Sequence, residues 1–264
     1  MDDWRSYDLV AETYERVHAP RFREVARDLV GLTDVPAGAE ALDVGTGTGV
    51  AAEVLSERGD AVVGVDPSLG MLTVGHRVRP TIRFVAARAI DLPFRDGRFD
   101  LLTANFVLAH FAKVETALFD LHRVLRPGGT IALSSWSDGP DAFQAAFREQ
   151  VEQVVPRELL EPAYAQAAPW HERFRDRVNV EEALIDAGFR HVRTEIASYR
   201  WSYGLDEYLD GLETWATGRF VRGMLGEDGW ASFRARVRAV FAERFADPLN
   251  DFRDVILAAG TRES

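Results

Sequence analysis

One decapeptide constrains this chain more than any other feature: Ala41-Leu42-Asp43-Val44-Gly45-Thr46-Gly47-Thr48-Gly49-Val50. Its first four residues are β-prone and mostly apolar, and a helical period begins at Val50, so the segment reads as strand, turn and helix. Three glycines in alternation make a turn without side chains, placed at the positive end of the following helix dipole. One glycine would suit any tight turn between a strand and a helix. Three of them behind an acidic residue form a surface on which a polar ligand can lie closely.

The same alternation continues downstream. Strands are expected over 41–44, 61–65, 82–85, 99–103 and 130–133, and helices over 50–58, 68–77 and 113–125. The first two strands are nearly all apolar, as strands covered by helices on both faces must be. Repeated βα units of this kind specify a parallel sheet. Pro127 and the two glycines after it stop the third helix. Beyond Trp136 the spacing predicts a helix over 141–155, a Pro-punctuated stretch to Trp170 and a helix over 180–187 closed by Gly188. Strands over 192–201 and 252–259 then bracket a helical excursion over 202–250, too long for a hairpin loop and so a layer of its own. The first thirty residues read as two helices, with Tyr7 and Tyr14 one heptad apart on one face of the first.

Asp66 stands at the end of the second strand, seventeen residues after Gly49. A carboxylate there can accept both hydroxyl hydrogens of a ribose, although an Asp before Pro67-Ser68 also suits a helix N-cap. Together with the glycine turn, the ribose reading is preferred. Gly47-Thr48-Gly49-Val50-Ala51-Ala52 even satisfies a relaxed dinucleotide fingerprint, but Asp43, two residues before the first glycine, is foreign to it. The chain has no cysteine, which removes disulfides, thiolate-zinc sites and a cysteine nucleophile, and its histidines show no metal-ligand spacing. A net charge of −11 without any run of Lys or Arg argues against nucleic acid as a partner. No apolar run approaches the ~18 residues that span a bilayer, and Met1-Asp2-Asp3-Trp4-Arg5 lacks the features of a signal peptide, so a cytoplasmic protein without a membrane partner is expected. Nothing in the sequence specifies an oligomeric state.

Three later segments separate the readings that the glycine turn leaves open. Asp91-Leu92-Pro93-Phe94 leads into the fourth strand, Leu125-Arg126-Pro127-Gly128-Gly129 precedes the fifth, and Tyr7-Asp8 stands with Ala11 and Tyr14 near the N-terminus. With Asp43, Gly45, Gly47 and Gly49, these segments resemble the class I S-adenosylmethionine-dependent methyltransferases, particularly the small-molecule branch that includes quinone-biosynthesis enzymes. The resemblance is tight over 39–136 and runs in order at both ends.

It implies an α/β fold with a doubly wound, Rossmann-like seven-stranded sheet whose last strand is antiparallel, plus a helical cap. The expected organisation is an N-terminal helical lid over 1–35, a donor-binding βα core over 36–136, the rest of the core with cap elements over 137–201, a cap insertion over 202–250 and the final strand over 251–264. The cofactor implied is S-adenosylmethionine. Asp43, Gly45, Thr46, Gly47 and Gly49 would hold its methionine part, Asp66 its ribose with Pro67 and Met71 nearby, Ala89 and Ile90 would border the adenine, and Asn105 and Phe106 would lie near the sulfonium. One departure stands out: where many relatives carry Gly-Asp-Ala, this chain has Ala87-Arg88-Ala89, and Arg88 either stacks on the adenine or, in the preferred reading, turns to solvent. His110 occupies a position where the branch often has a histidine near the acceptor and is the candidate general base. Tyr7, Tyr14, Trp201 and Trp215 are candidate lid or substrate residues. Trp201, Tyr203, Tyr208, Trp215, Phe220 and Trp230 suit either an acceptor cage or core packing, and His171 suits the acceptor pocket or, in the preferred reading, the surface. The implied activity is methyl transfer to an O, N or C atom of a small-molecule acceptor by in-line displacement. A catalytically silent donor-binding paralogue and a nicotinamide-dependent oxidoreductase are the alternatives, and acceptor selection is assigned to 137–180 and 202–250.

Overall fold

The computed structural model describes residues 3–139 and 141–263; Met1, Asp2 and Ser264, at the outer ends of the expected lid and final strand, lie outside the described residues, as does Pro140. The strands are β1 (Glu40–Val44), β2 (Ala61–Asp66), β3 (Arg83–Ala86), β4 (Phe99–Asn105), β5 (Leu125–Trp136), β6 (Phe189–Tyr203) and β7 (Leu249–Arg262). They form one sheet in the order β3-β2-β1-β4-β5-β7-β6. Strand β7 runs antiparallel to both β5 and β6, and the pairs among β1 to β5 are parallel, so the expected doubly wound sheet with an antiparallel last strand is observed.

The helices are α1 (Ala11–Val17), α2 (Ala19–Gly31), α3 (Val50–Glu57), α4 (Leu69–Val78), α5 (Val114–Val124), α6 (Ala142–Glu152), α7 (Arg157–Ala167), α8 (Arg177–Asp186), α9 (Leu205–Leu212) and α10 (Ala216–Arg244). Side-chain caps fix several starts: Ser68 Oγ accepts from the Met71 N–H at 3.1 Å, Asp141 from Gln144 at 2.8 Å and Asp176 from Val178 at 2.9 Å. Alternation along β7 feeds two cores. Ile256 and Ala258 join Leu42, Phe99, Leu121 and Leu133 on one face of the sheet. Val255 and Leu257 join Phe147, Tyr208, Phe233 and Phe241 of the helical cap on the other.

One expectation is corrected and two are made more specific. The first helix is not continuous: residues 3–9 wind as a 3-10 helix, α1 begins only at Ala11, and Pro20 near the start of α2 sets a further boundary at His18. Tyr7 and Tyr14 therefore do not share one helical face, although both pack on Met71 and Val74. The Pro-punctuated stretch contains α7, with Pro162 inside it at the loss of one backbone hydrogen bond. In the cap, the helical run is broken at Gly226, whose φ of 67° and ψ of 179° are not helical. No helix among the described residues is long and apolar enough to cross a membrane.

Candidate active site

The strand order reverses direction between β1 and β4, and crevices outside the C-terminal ends of strands at such a switch point are where open α/β sheets bind ligands. A cavity of about 640 Å³ opens there. Its floor on the β1 side is the glycine turn. Gly45 and Gly47 have φ of 65° and 56°, in the left-handed region that penalises any side chain. A Cβ on Gly45 would stand 2.4 Å from Val107 Cγ2, so the turn after β4 sits tightly on the turn after β1.

Asp66, Pro67, Met71, Ala89, Ile90, Asn105 and Phe106 line the cavity with Gly45 and Gly47. Asp66 Oδ2 accepts from the Gly47 N–H at 2.9 Å and Oδ1 from the Ser68 N–H at 2.8 Å. Burial pushes its carboxyl up to about 6 against those two hydrogen bonds, with Asp43 and Asp8 adding to the rise. Asp43, Thr46 and Gly49 are not in the cavity wall. Asp43 is buried beneath the turn, where it accepts from Thr46 Oγ1 at 2.6 Å, Thr103 Oγ1 at 2.7 Å and the Ala52 N–H at 3.2 Å. Its carboxyl is likewise raised to about 6 by burial. These three residues brace the turn rather than face its ligand side. Arg88 is exposed on the cavity rim.

At the end of β4, Phe106 holds a φ of 57°, an uncommon conformation for an aromatic residue and a cost of order 1–3 kcal/mol. Two contacts hold it there: its N–H donates to Ser134 Oγ at 2.9 Å, and its ring stacks on Trp136 with centroids 4.2 Å apart. Ser134 Oγ donates in turn to Asn105 Oδ1 at 2.6 Å. Phe22 lies 4.8 Å from Phe106 and 6.0 Å from Trp201, which stands perpendicular to Trp136 at 6.1 Å. Phe22, Phe106, Trp136 and Trp201 thus wall the cavity with rings.

Of the six aromatic residues that suited either a cage or a core, Trp201, Tyr203 and Trp215 border the cavity, while Tyr208 and Trp230 are buried in the cap core and Phe220 packs against it. Tyr7 and Tyr14 both reach the cavity. Asp8 docks their segment: its Oδ1 accepts from Ser68 Oγ at 2.6 Å and from the Gly70 N–H at 2.8 Å. A Cβ on Gly70 would meet the Asp8 backbone at 2.5 Å, so only glycine lets the two segments approach this closely.

His110 ends a 3-10 turn and lines the cavity, with its ring edge-on to Tyr7. Its Nδ1 lies 2.9 Å from the Ala167 carbonyl oxygen, a pairing that needs the proton on Nδ1 and leaves the basic lone pair on Nε2. His171 lines the cavity instead of the surface, and His18, not anticipated here, does so with Nε2 2.7 Å from Thr214 Oγ1. Burial lowers both to about 4, so both are neutral near pH 7. Phe22, Phe147 and Tyr164, on helices, and Trp136, at the end of β5, also went unnoticed, because a single ring carries no signal of which face it will present.

A family described as a methyltransferase domain matches residues 42–133. A demethylmenaquinone methyltransferase of Renibacterium salmoninarum is 34% identical over 194 residues, 70% of this chain and 80% of that protein. One from Paenarthrobacter aurescens is 38% identical over 192 residues, 70% of this chain and 75% of that protein. Solved structures share the fold. A methyltransferase from Thermotoga maritima superposes with a TM-score of 0.58 at 15% identity, covering 98% of this chain and 99% of that one. Phosphoethanolamine N-methyltransferase 2 from Haemonchus contortus, in complex with phosphomonomethylethanolamine and S-adenosylhomocysteine, gives 0.59 at 17% identity over 97% of this chain and 58% of that one. The glycine turn, the switch-point cavity and these relatives agree: the chain belongs to the class I S-adenosylmethionine-dependent methyltransferases, of the quinone-biosynthesis type, and is an enzyme that methylates a small molecule.

Proposed function

We propose that the acceptor is a planar aromatic molecule methylated at a ring oxygen or ring carbon. The observation that carries this reading is the set of rings around the cavity, Phe22, Phe106, Trp136 and Trp201, within 4.2 to 6.1 Å of one another in sequence around the wall. Offset and edge-on aromatic contacts contribute roughly 0.5–1.5 kcal/mol beyond area burial, which selects a flat ring over a saturated one. The relatives named for demethylmenaquinone, a quinone, support the same choice.

The residues present fit the donor. Gly45 and Gly47 offer bare backbone, and Asp66 a carboxylate at the strand end, in the wall of one cavity with Asn105. In this reading Gly45, Gly47 and Asn105 receive the methionine part, Asp66 the ribose with Pro67 and Met71 beside it, and Ala89 and Ile90 the adenine. Asp43, Thr46 and Gly49 act at one remove by holding the turn. S-adenosylmethionine, when bound, supplies a methyl group already activated on a sulfonium. What remains for the protein is alignment, exclusion of water and a place for the acceptor's proton. His110 is the candidate base, with Nε2 accepting that proton and the Ala167 carbonyl steadying the ring. Residues 1–35 act as a lid, with Tyr7 and Tyr14 closing the cavity, while 137–201 and 202–250 supply acceptor contacts, Trp201 and Trp215 among them.

Ring selectivity can be read by calorimetry on the protein saturated with S-adenosylhomocysteine, in which 2-naphthol should bind and decahydro-2-naphthol should not. Equal binding of the two would remove the aromatic preference.

A further inference from the structure

The acceptor half of the cavity carries more than rings. Helix α6 turns Gln144, Phe147 and Arg148 toward it, positions within one helical turn of each other. The end of α7 and the turn after it bring Tyr164, His171 and Arg175 to the same wall, with the Tyr164 and His171 rings edge-on at 5.6 Å.

The charges in this wall are unevenly committed. Arg253 also lines the cavity, but Asp141 and Asp251 both pair with it and neutralise it internally. Arg175 pairs with Asp138 at 2.6 Å and reaches Glu172 at 4.0 Å, and those carboxylates are 76% and 80% exposed, so each pair contributes little in water and yields readily to a better partner. Arg148 is exposed and has no ion pair among the described residues. Beside these guanidinium groups, Tyr164 stays protonated, raised to about 12 by burial, and His171 stays neutral. Both are hydrogen-bond donors without a charge of their own. The same cavity lining carries Asp141, Asp251 and Asp254, of which the first two are taken up by Arg253 and the third accepts from Ser198 Oγ at 2.5 Å, so Arg148 and Arg175 are the cations available to an acceptor.

We infer that this wall is an anion subsite that holds a carboxylate on the acceptor, with Arg148 and Arg175 supplying charge and Tyr164 and His171 supplying hydrogen bonds. The inference rests on the aromatic-acceptor reading and narrows it to ring acids. A planar carboxylate suits guanidinium groups, which pair with it through parallel hydrogen bonds. Once anchored there, the ring lies between the subsite and the aromatic wall, its reactive edge turned toward the end of β4.

Calorimetry on the protein saturated with S-adenosylhomocysteine tests this with two probes of one ring, 1-hydroxy-2-naphthoate and 1-naphthol. The acid should bind about tenfold tighter or better, and its advantage should shrink as salt is raised. Arg148→Gln, an exposed change, should remove about half of that advantage on a logarithmic scale, and Arg148→Gln with Arg175→Gln should abolish it. Neither should move the affinity for 1-naphthol or for S-adenosylhomocysteine, which also certifies that the variants fold. Equal affinities in the unaltered protein, or an acid preference that survives both substitutions, would overturn the subsite and leave the aromatic cavity intact. Failure of both probes to bind would overturn the aromatic reading beneath it.

Discussion

In the proposed reading Asp66 is the residue on which the donor half turns. Hydrogen bonds to a charged group contribute about 1.5–3 kcal/mol, so Asp66→Ala should weaken S-adenosylhomocysteine by that amount, and an unchanged dissociation constant would take Asp66 off the ribose. Because burial raises its carboxyl to about 6, the donor should bind more tightly as pH rises through that value, and Asp66→Asn should flatten the dependence. The sign for stability is opposite. Between the ordinary carboxylate value near 4 and about 6 the folded protein holds the extra protons of Asp43 and Asp66, so their ionisation lowers the melting temperature of the ligand-free protein across that window. For His110, the Ala167 contact sets the tautomer, and His110→Ala should lower turnover roughly 10²-fold on an oxygen or carbon acceptor with donor affinity little changed. Normal turnover across neutral pH would rule it out as base. Asp66 was legible in the sequence because strand end and glycine turn are local features. His18 and His171 were not, since neither chain neighbour tells that Thr214 or Tyr164 will stand beside them.

The N-terminal segment docks on the start of α4 through Asp8, and the proposed lid rests on that contact. Asp8 supplies a side-chain acceptor to the Gly70 N–H and to the capping Ser68 hydroxyl, and losing such a cap costs about 0.5–2 kcal/mol. Asp8→Ala should therefore expose residues 3–17 to proteolysis and weaken donor binding while leaving the sheet intact. Gly70→Ala, which meets the Asp8 backbone, should do the same; resistance to protease in both variants would show that the segment is held by other contacts. Elements with a strict period were read correctly from sequence: β1, β2 and β4 match within two residues, as do α3 and α4. Those whose course depends on packing were not. The 3-10 start of the chain is tied by Asp8 to residues sixty positions away, and α7 continues through Pro162.

Across the whole molecule, the sheet divides labour between its halves. In the proposed reading β1 to β4 and the loops after them carry the donor wall and Phe106, while α2, β5, β6 and the segment between those two strands bring the other rings and the cations to face it. Trp201 and Trp215 separate the two duties of that second half. Trp201 is buried and its Nε1 lies 3.4 Å from Glu24, so Trp201→Ala should cost stability, about 3–5 kcal/mol, as well as acceptor binding. Trp215 is only half-buried, and Trp215→Ala should alter acceptor preference at nearly unchanged melting temperature and donor affinity; equal loss of donor and acceptor binding would mark it as a core residue. The central claim is that one cavity holds the methyl donor and an aromatic acceptor together. It is tested most directly by incubating the protein with methyl-labelled S-adenosylmethionine and a set of hydroxynaphthalenes and hydroxynaphthoates, then following the label by chromatography. Label in a ring product, formed more slowly by His110→Ala and hardly at all by Asp66→Ala at low donor concentration, is the expected result. A protein that binds the donor tightly, binds these rings, and moves no label to any of them contradicts it.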